Sequence, residues 1–175
     1  YIRAFARDIG PDLDVPAPDV NTNPEIMDVM LDEYEKIVGK PSPAVITGKS
    51  IGNGGSLGRD TATADGAVFV LEALLSDRHM GTSGLTASIQ GAGNAGAHAA
   101  ERLAQLGMSV VALSDSRGTL FDDRGLDVSP TLAKKEATGS LGEDLLPREA
   151  VIGAPCDILV PAALEEQVRD DNVGE

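Results

Sequence analysis

A chain of 175 residues is long enough for one substantial domain, or for a domain with part of a second. Its 28 acidic against 14 basic side chains give a formal charge of −14, which disfavours nucleic acid and anionic membranes as partners. The single cysteine, Cys156, excludes a disulfide framework within the chain, and His79 and His98, far apart and without partner cysteines, provide no metal site.

No apolar run is long enough to span a membrane and no charged-then-apolar leader opens the chain, so a soluble, cytoplasmic protein is expected. The acids are spread along the chain and are not massed in one tail, which favours adaptation to concentrated salt over an ordinary acidic composition. Tyr1, Ile2, Phe5 and Ile9 fall at helical spacing from the first residue, and no stop signal closes the chain at Glu175. An internal piece of a longer protein is the expectation.

In chain order, the first segment reads as the end of a helix that closes at Gly10. Pro16 and Pro18 then force their predecessors toward extended geometry and hold Asp19 in a stiff stretch. Asn21-Thr22-Asn23-Pro24-Glu25 carries the marks of a helix start: a capping side chain, proline in the first turn, then an acid. Ile26, Met27, Met30, Leu31, Tyr34 and Ile37 are expected on its inner face, and Gly39 and Pro41 end it. Residues 40–58 read as a glycine-rich loop, in which Gly48-Lys49-Ser50 lacks the upstream glycine of a phosphate-binding P-loop. A second helix opens at 59–63, with Ala64, Val68, Leu71, Leu74 and Leu75 expected inward, and ends near His79, a favourable dipole contact there.

The most informative stretch follows. Leu85-Thr86-Ala87-Ser88-Ile89 is short and largely apolar, and the segment from Ala97 to Leu106 is rich in helix formers. Between them lies Gln90-Gly91-Ala92-Gly93-Asn94-Ala95-Gly96, a Gly-x-Gly-x-x-Gly placed where a strand turns into a helix. Gly91 permits the tight turn, Gly93 lets a pyrophosphate approach the backbone, and Gly96 lets helix and strand pack closely. The helix N-terminus supplies unpaired N–H groups and a positive dipole end. Ser109-Val110-Val111-Ala112-Leu113 then reads as a second strand. It leads to Asp115, about 20 residues past the last glycine, where an acid can accept from a ribose 2′-OH. Residues 127–142 read as short helix and loop, and Cys156 to Val160 as a buried strand closed by Pro161, with Cys156 an inert core residue.

Five stretches carry a resemblance. They are Pro16-Ala17-Pro18-Asp19-Val20-Asn21-Thr22, Gly54-Gly55-Ser56-Leu57-Gly58-Arg59 with Ala62-Thr63, Gln90 to Gly96, Val111 to Ser116, and Cys156 to Ala163. In this order they resemble the glutamate/leucine/phenylalanine/valine dehydrogenases. The resemblance implies an α/β fold: a Rossmann-like dinucleotide-binding domain over 39–175, incomplete at its C-terminus, preceded by the end of an α/β substrate domain over 1–38, with the cleft between them. It implies oxidative deamination of L-glutamate to 2-oxoglutarate and ammonia, with hydride passing to a nicotinamide, in a homo-oligomer, a hexamer. Leucine or phenylalanine dehydrogenase, or a non-catalytic nucleotide-binding module, are the rival readings.

By the same resemblance Asp19 is the catalytic acid–base residue. A carboxylate held by two prolines suits that work, although the same residue can also be read as an N-cap-like acid before the next helix. Arg59 and Thr63 would line the nicotinamide end of the site. Gln90, Gly91, Gly93, Asn94, Ala95 and Gly96 would cradle the cofactor, Asp115 and Ser116 would face the adenine ribose, and Ala162 would complete the contacts. Asp115 favours NAD, because its charge would repel a 2′-phosphate. Ser116 and Arg117 leave NADP as the alternative. Departures from the family pattern are Thr61 in place of Glu, Glu166 in place of Asn, and the family's lysine-rich motif, including its catalytic lysine, which falls upstream of this chain. By itself the chain is not expected to be a competent enzyme.

Overall fold

The computed structural model describes residues 1–19 and 21–174. Val20, in the proline-stiffened stretch, and Glu175, at the end of the expected cofactor domain, lie outside them. The chain divides into two compact units, residues 1–59 and 60–175.

In the first unit, α1 (Ile2–Phe5) is a single turn and does not reach Gly10. The chain instead folds back on itself: Gly10 N–H donates to the Asp14 carbonyl at 3.1 Å and Ile9 bridges to Asp14. α2 (Pro24–Val38) starts as its sequence demands. Asn23 accepts from the Ile26 N–H through its side chain at 2.9 Å, and Pro24 occupies the first turn, where its missing N–H costs nothing. It ends at Gly39 in the left-handed region, φ 72°, whose N–H returns to the Glu35 carbonyl. Met27, Leu31 and Tyr34 are buried against Ile2, Ile9, Val45 and Ile46, and the Tyr34 hydroxyl donates to the Ile9 carbonyl. Ile26 and Ile37, expected inward, are exposed. The one-turn α1 covers only a narrow stripe of α2, so residues to either side of it face outward.

Residues 40–58 are not featureless loop; they contain 3-10 turns at Pro43–Val45 and Ile51–Asn53. Val45 and Ile46 are core residues of the first unit. Ser50 N–H donates to Asp28 Oδ1 of α2 at 2.9 Å. Hydrogen bonding from Ser50, its side chain first, holds the Asp28 carboxyl below its ordinary range.

The second unit is an open sheet with helices. Its elements are α3 (Ala62–Asp77), β1 (Thr86–Gln90), α4 (Asn94–Gln105), β2 (Ser109–Ser114), β3 (Thr119–Phe121), α5 (Val128–Thr138) and β4 (Ile158–Pro161). The strand order is β3-β2-β1-β4, with β1 parallel to both β2 and β4, and β3 antiparallel to β2. Ala87, Ile89, Val110 and Leu113 of the sheet meet Val68 and Leu75 of α3 and Ala100 and Leu103 of α4 in the main core. Ser88 points the other way, as strand alternation requires, and donates to the Val151 carbonyl at 2.6 Å.

Three expectations change here. Leu74 is 47% exposed, as are Phe69 and Val70 by still more. α3 is apolar nearly all round, so periodicity alone could not choose its inward face. β4 is half-buried, not buried, because it stands at the sheet edge with β1 on one side only. Pro161 ends it without loss, since a proline at an edge need not donate to a ladder. Cys156 is likewise only partly buried, and that burial pushes its thiol pKa up, which disfavours the reactive thiolate. His79 lies past the end of α3 in the left-handed region, φ 57°, and its backbone N–H bonds to the Ser76 carbonyl.

Among the described residues no helix is long and apolar enough to cross a membrane, and no group of three or more His, Cys, Asp or Glu side chains is placed to hold a metal.

Candidate dinucleotide site

β1 ends at Gln90 and the backbone turns at Gly91, φ 93°, a conformation L side chains rarely adopt. The Gly91 N–H donates to Ser114 Oγ at the end of β2, 3.1 Å away, which ties the turn to the neighbouring strand. A side chain at Gly91 would also meet the Ala162 carbonyl oxygen at 2.8 Å. Gly96 lies beneath the same turn: a Cβ there would fall inside the Gly91 carbonyl, 2.9 Å from its carbon. Gly93 has the opposite surroundings, with nothing within 4 Å of an added Cβ, and α4 begins immediately after it. Gly91 thus serves turning, Gly93 open approach and Gly96 close packing.

The turn borders a crevice of about 520 Å³. Gln90 to Gly93 line it from the end of β1, Ser114 to Ser116 from the end of β2, and Ala162 to Leu164 from the end of β4. β1 is the strand from which the chain crosses by α4 to β2 on one side, while β4 pairs on its other side; this is the switch point of an open parallel sheet, where ligands bind. Lys135, Arg148 and Arg169 face it against Asp115 and Glu149, so cations outnumber acids here although acids outnumber bases twofold in the whole chain. The local excess suits an anionic ligand.

Gln90 adds a specific demand. It is 7% exposed, and its Nε2 donates to Gln167 Oε1 at 2.9 Å. The Gln167 amide is oriented by its own donation to the Glu165 carbonyl, so the Gln90 Oε1 is the atom left buried with no partner among the described residues. An unpaired buried acceptor costs free energy, and a donor in the crevice satisfies it only if the Gln90 side chain turns its oxygen toward the crevice it lines. Open backbone at Gly93, a net positive lining and an orphaned acceptor together fit a dinucleotide.

The crevice brings together Gln90, Gly91, Gly93, Asp115, Ser116 and Ala162. Asp115 is more committed than its sequence position suggests. Its Oδ1 accepts from Arg117 N–H at 2.7 Å and Gly118 N–H at 3.2 Å, and its Oδ2 from Leu141 N–H at 3.1 Å. A carboxylate has about four acceptor positions, so one remains for a ribose hydroxyl. Ala95 and Gly96 lie in the first turn of α4 behind the crevice wall, and Thr63 lies exposed in the first turn of α3. Asn94 turns its amide away, donating through Nδ2 to the Asp60 carbonyl at 2.8 Å. Lys135, Arg148, Gln167 and Arg169 were not legible as site residues; they come from segments remote in sequence and carry no local motif.

Asp19 and Arg59 belong to the first unit. Asp19 is exposed and its backbone is clamped: Thr22 Oγ1 accepts from the Asp19 N–H and donates to the Asp19 carbonyl, both at 2.6 Å. The Pro16 carbonyl accepts from Thr47 N–H at 3.0 Å, and the Pro18 ring fills the place of a side chain at Gly48, 2.7 Å from Cδ to an added Cβ. Arg59 Nε lies 3.3 Å from that same point. The proline stretch that carries Asp19 and the Arg59 side chain therefore meet at Gly48.

A glycine turn between a parallel strand and a helix, at the switch point of an open sheet, defines a dinucleotide-binding domain of the Rossmann type. Residues 54–175 match the glutamate/leucine/phenylalanine/valine dehydrogenase family, and residues 1–36 match the dimerisation domain of the same Glu/Leu/Phe/Val dehydrogenases. The chain belongs to that family. It is 43% identical over 175 residues to the NAD-specific glutamate dehydrogenase of Staphylococcus aureus, covering 98% of this chain and 42% of the relative. It is 40% identical over 188 residues to the NADP-specific glutamate dehydrogenase of Synechocystis sp., covering 100% of this chain and 44% of the relative. A hetero-hexameric glutamate dehydrogenase from Thermus thermophilus, in a Leu-bound form, superposes with a TM-score of 0.94 at 40% identity, over 99% of this chain and 42% of that one. The chain thus spans about two fifths of the length of these relatives.

Proposed function

We propose that the complete protein is an NAD(P)-dependent glutamate dehydrogenase that converts L-glutamate to 2-oxoglutarate and ammonia. The observation that carries this is the crevice at the β1 switch point, with its glycine turn, cationic lining and unpartnered Gln90 oxygen. The similarity of nearly the whole chain to glutamate dehydrogenases supplies the substrate class. The nicotinamide cofactor, when bound, supplies the hydride acceptor.

In this reading the backbone N–H groups at Gly93, Asn94 and Ala95 hold the pyrophosphate at the start of α4, with Gly91 and Gly96 shaping the turn. Gln90 and Ala162 contact the nicotinamide half, Arg59 and Thr63 line that end, and Asp115 and Ser116 take the adenine ribose. Asp19 accepts the proton from the substrate amine. Residues 1–38 close the substrate domain and residues 39–175 form the cofactor domain, although 39–59 pack with the first unit. The cofactor is NAD, with NADP the alternative. The lining cations and the backbone commitments of the Asp115 carboxylate weaken its repulsion of a 2′-phosphate. A cytoplasmic homohexamer and a high-salt habitat complete the proposal. The count of six is that of the hetero-hexameric Thermus thermophilus neighbour, the likeness of the six subunits rests on the family resemblance alone, and the habitat follows the charge of −14.

The test is substrate oxidation by the intact protein with glutamate, leucine and phenylalanine, each with NAD and with NADP, from dilute buffer to molar KCl. Glutamate should give the highest kcat/KM, and activity should keep rising into molar salt. Preference for leucine or phenylalanine would move the protein within its family; turnover with none of them would leave a nucleotide-binding module. A flat salt profile would remove the high-salt proposal.

A further inference from the structure

Asn94 opens α4 at the glycine turn, yet it is not among the side chains that line the crevice. Its Nδ2 donates to the Asp60 carbonyl oxygen, just before α3 begins. Farther along the same two helices, Arg102 of α4 pairs with Asp65 of α3 at 3.1 Å. The two links advance in the same direction along both chains, so α3 and α4 lie side by side and parallel, with their N-termini together.

The position of α3 relative to the sheet follows from its neighbours. α4 packs against both α3 and α5, and α5 follows β3, the strand at one edge. α3 therefore lies toward the other edge, that of β4. The end of β4, Ala162 to Leu164, forms the crevice wall away from Ser114 to Ser116. A dinucleotide laid across a switch point keeps its adenosine at the end of β2, and its second nucleoside then falls on the β4 side.

The first turn of α3 has little packing of its own: Ala62 and Thr63 are exposed, and burial begins only at Ala64. Helix ends without tertiary contacts fray. We infer that Asn94 is a positioning residue, whose side chain pins the N-terminal turn of α3 to the glycine turn and so holds Thr63 of that turn, which lies outside the crevice lining, where the reading above puts it, at the nicotinamide end. This rests on the dinucleotide reading given above.

The test uses the purified protein with Asn94→Ala and Asn94→Asp; the second keeps the size and presents an acceptor to the Asp60 carbonyl. Two measurements are made: amide hydrogen exchange, and dissociation constants for NADH and for ADP, which carries the adenosine half and both phosphates. Exchange at Asp65 and Gly66 in the first turn of α3 should rise about fivefold or more, the factor that loss of one ordinary hydrogen bond gives, with β1 unchanged. NADH should bind about fivefold or more weakly, while ADP stays within about twofold. Equal weakening of NADH and ADP would make Asn94 a direct phosphate contact and overturn the inference, as would unchanged exchange in both variants. A wild-type protein that binds neither ligand refutes the dinucleotide reading and the assigned purpose with it. The exchange measurement then still decides whether the tether exists.

Discussion

Gly96 offers a sharp test of how the turn is built. Its backbone is ordinary α-helix, so Gly96→Ala should favour the helix by about 1 kcal/mol if nothing else intervened. The structure opposes this. The new Cβ would sit 2.9 Å from the Gly91 carbonyl carbon and overlap its oxygen, where carbon atoms ordinarily approach to about 3.5–4.0 Å. Relief requires the Gly91 peptide or the start of α4 to shift by more than about 1 Å, with the Ala162 Cβ already 3.5 Å from the same point. Overpacking of this kind costs about 1–3 kcal/mol, so the net effect is loss of stability despite the better helix former. The shift also moves the N–H groups of the turn. Losing one hydrogen bond to a charged phosphate, about 1.5–3 kcal/mol, weakens NADH roughly ten- to hundredfold. Gly93→Ala is the control. Its φ of −82° suits any residue and its Cβ meets nothing, so the fold should be kept, with only the roughly 0.5–1 kcal/mol that alanine costs as the N-cap of α4. The methyl group would nevertheless stand where the proposed function puts the pyrophosphate, and NADH affinity should fall. Thermal melts and NADH titrations on both variants give the answer. Wild-type melting and binding in Gly96→Ala, or wild-type binding in Gly93→Ala, would refute the division of labour among the glycines.

Three further outcomes are expected. On the proposed function, Asp19→Asn in the complete protein should lower kcat by roughly 10²–10⁴-fold with cofactor affinity unchanged; near-normal kcat in a folded variant, from steady-state kinetics, would leave Asp19 a mere helix-start residue. Glu166 holds φ 56°, a conformation that costs an L residue about 1–2 kcal/mol, so Glu166→Gly should raise the melting temperature, and an unchanged or lower value would deny the strain. Asp157 has its carboxyl pKa lowered, first by the Thr86 N–H and then by the Thr86 hydroxyl. A depressed folded pKa means stabilisation that is present above the unfolded value and is lost as pH falls through the folded one. Melting temperature should therefore drop more steeply in the wild type than in Asp157→Asn below about pH 4, and parallel curves would count against this link.

Much of this molecule was legible in the linear sequence because the determining interactions are local. The cap at Asn23 and Pro24, the stop at Gly39, and the strand–turn–helix at Gln90 to Gly96 depend on neighbours a few residues away, and the structure has each where the pattern predicts it. The same holds for β2 ending at the Ser114–Asp115 step. What sequence could not decide involves partners distant along the chain. α3 is apolar on most sides, so only packing on α4 and the sheet selects Val68 and Leu75 over Leu74 and Phe69. β4 is an apolar run that reads as buried, and only the strand order makes it an edge. Asp115 reads as a ribose ligand, and only the fold brings Leu141 N–H to its second oxygen. Asn94 reads as a cofactor contact, and only the parallel packing of α3 and α4 sets the Asp60 carbonyl in front of its amide. Local hydrogen bonding and backbone sterics are written in adjacent residues. The direction in which an exposed polar side chain turns, and which apolar face is covered, are set by segments that meet only when the sheet is assembled.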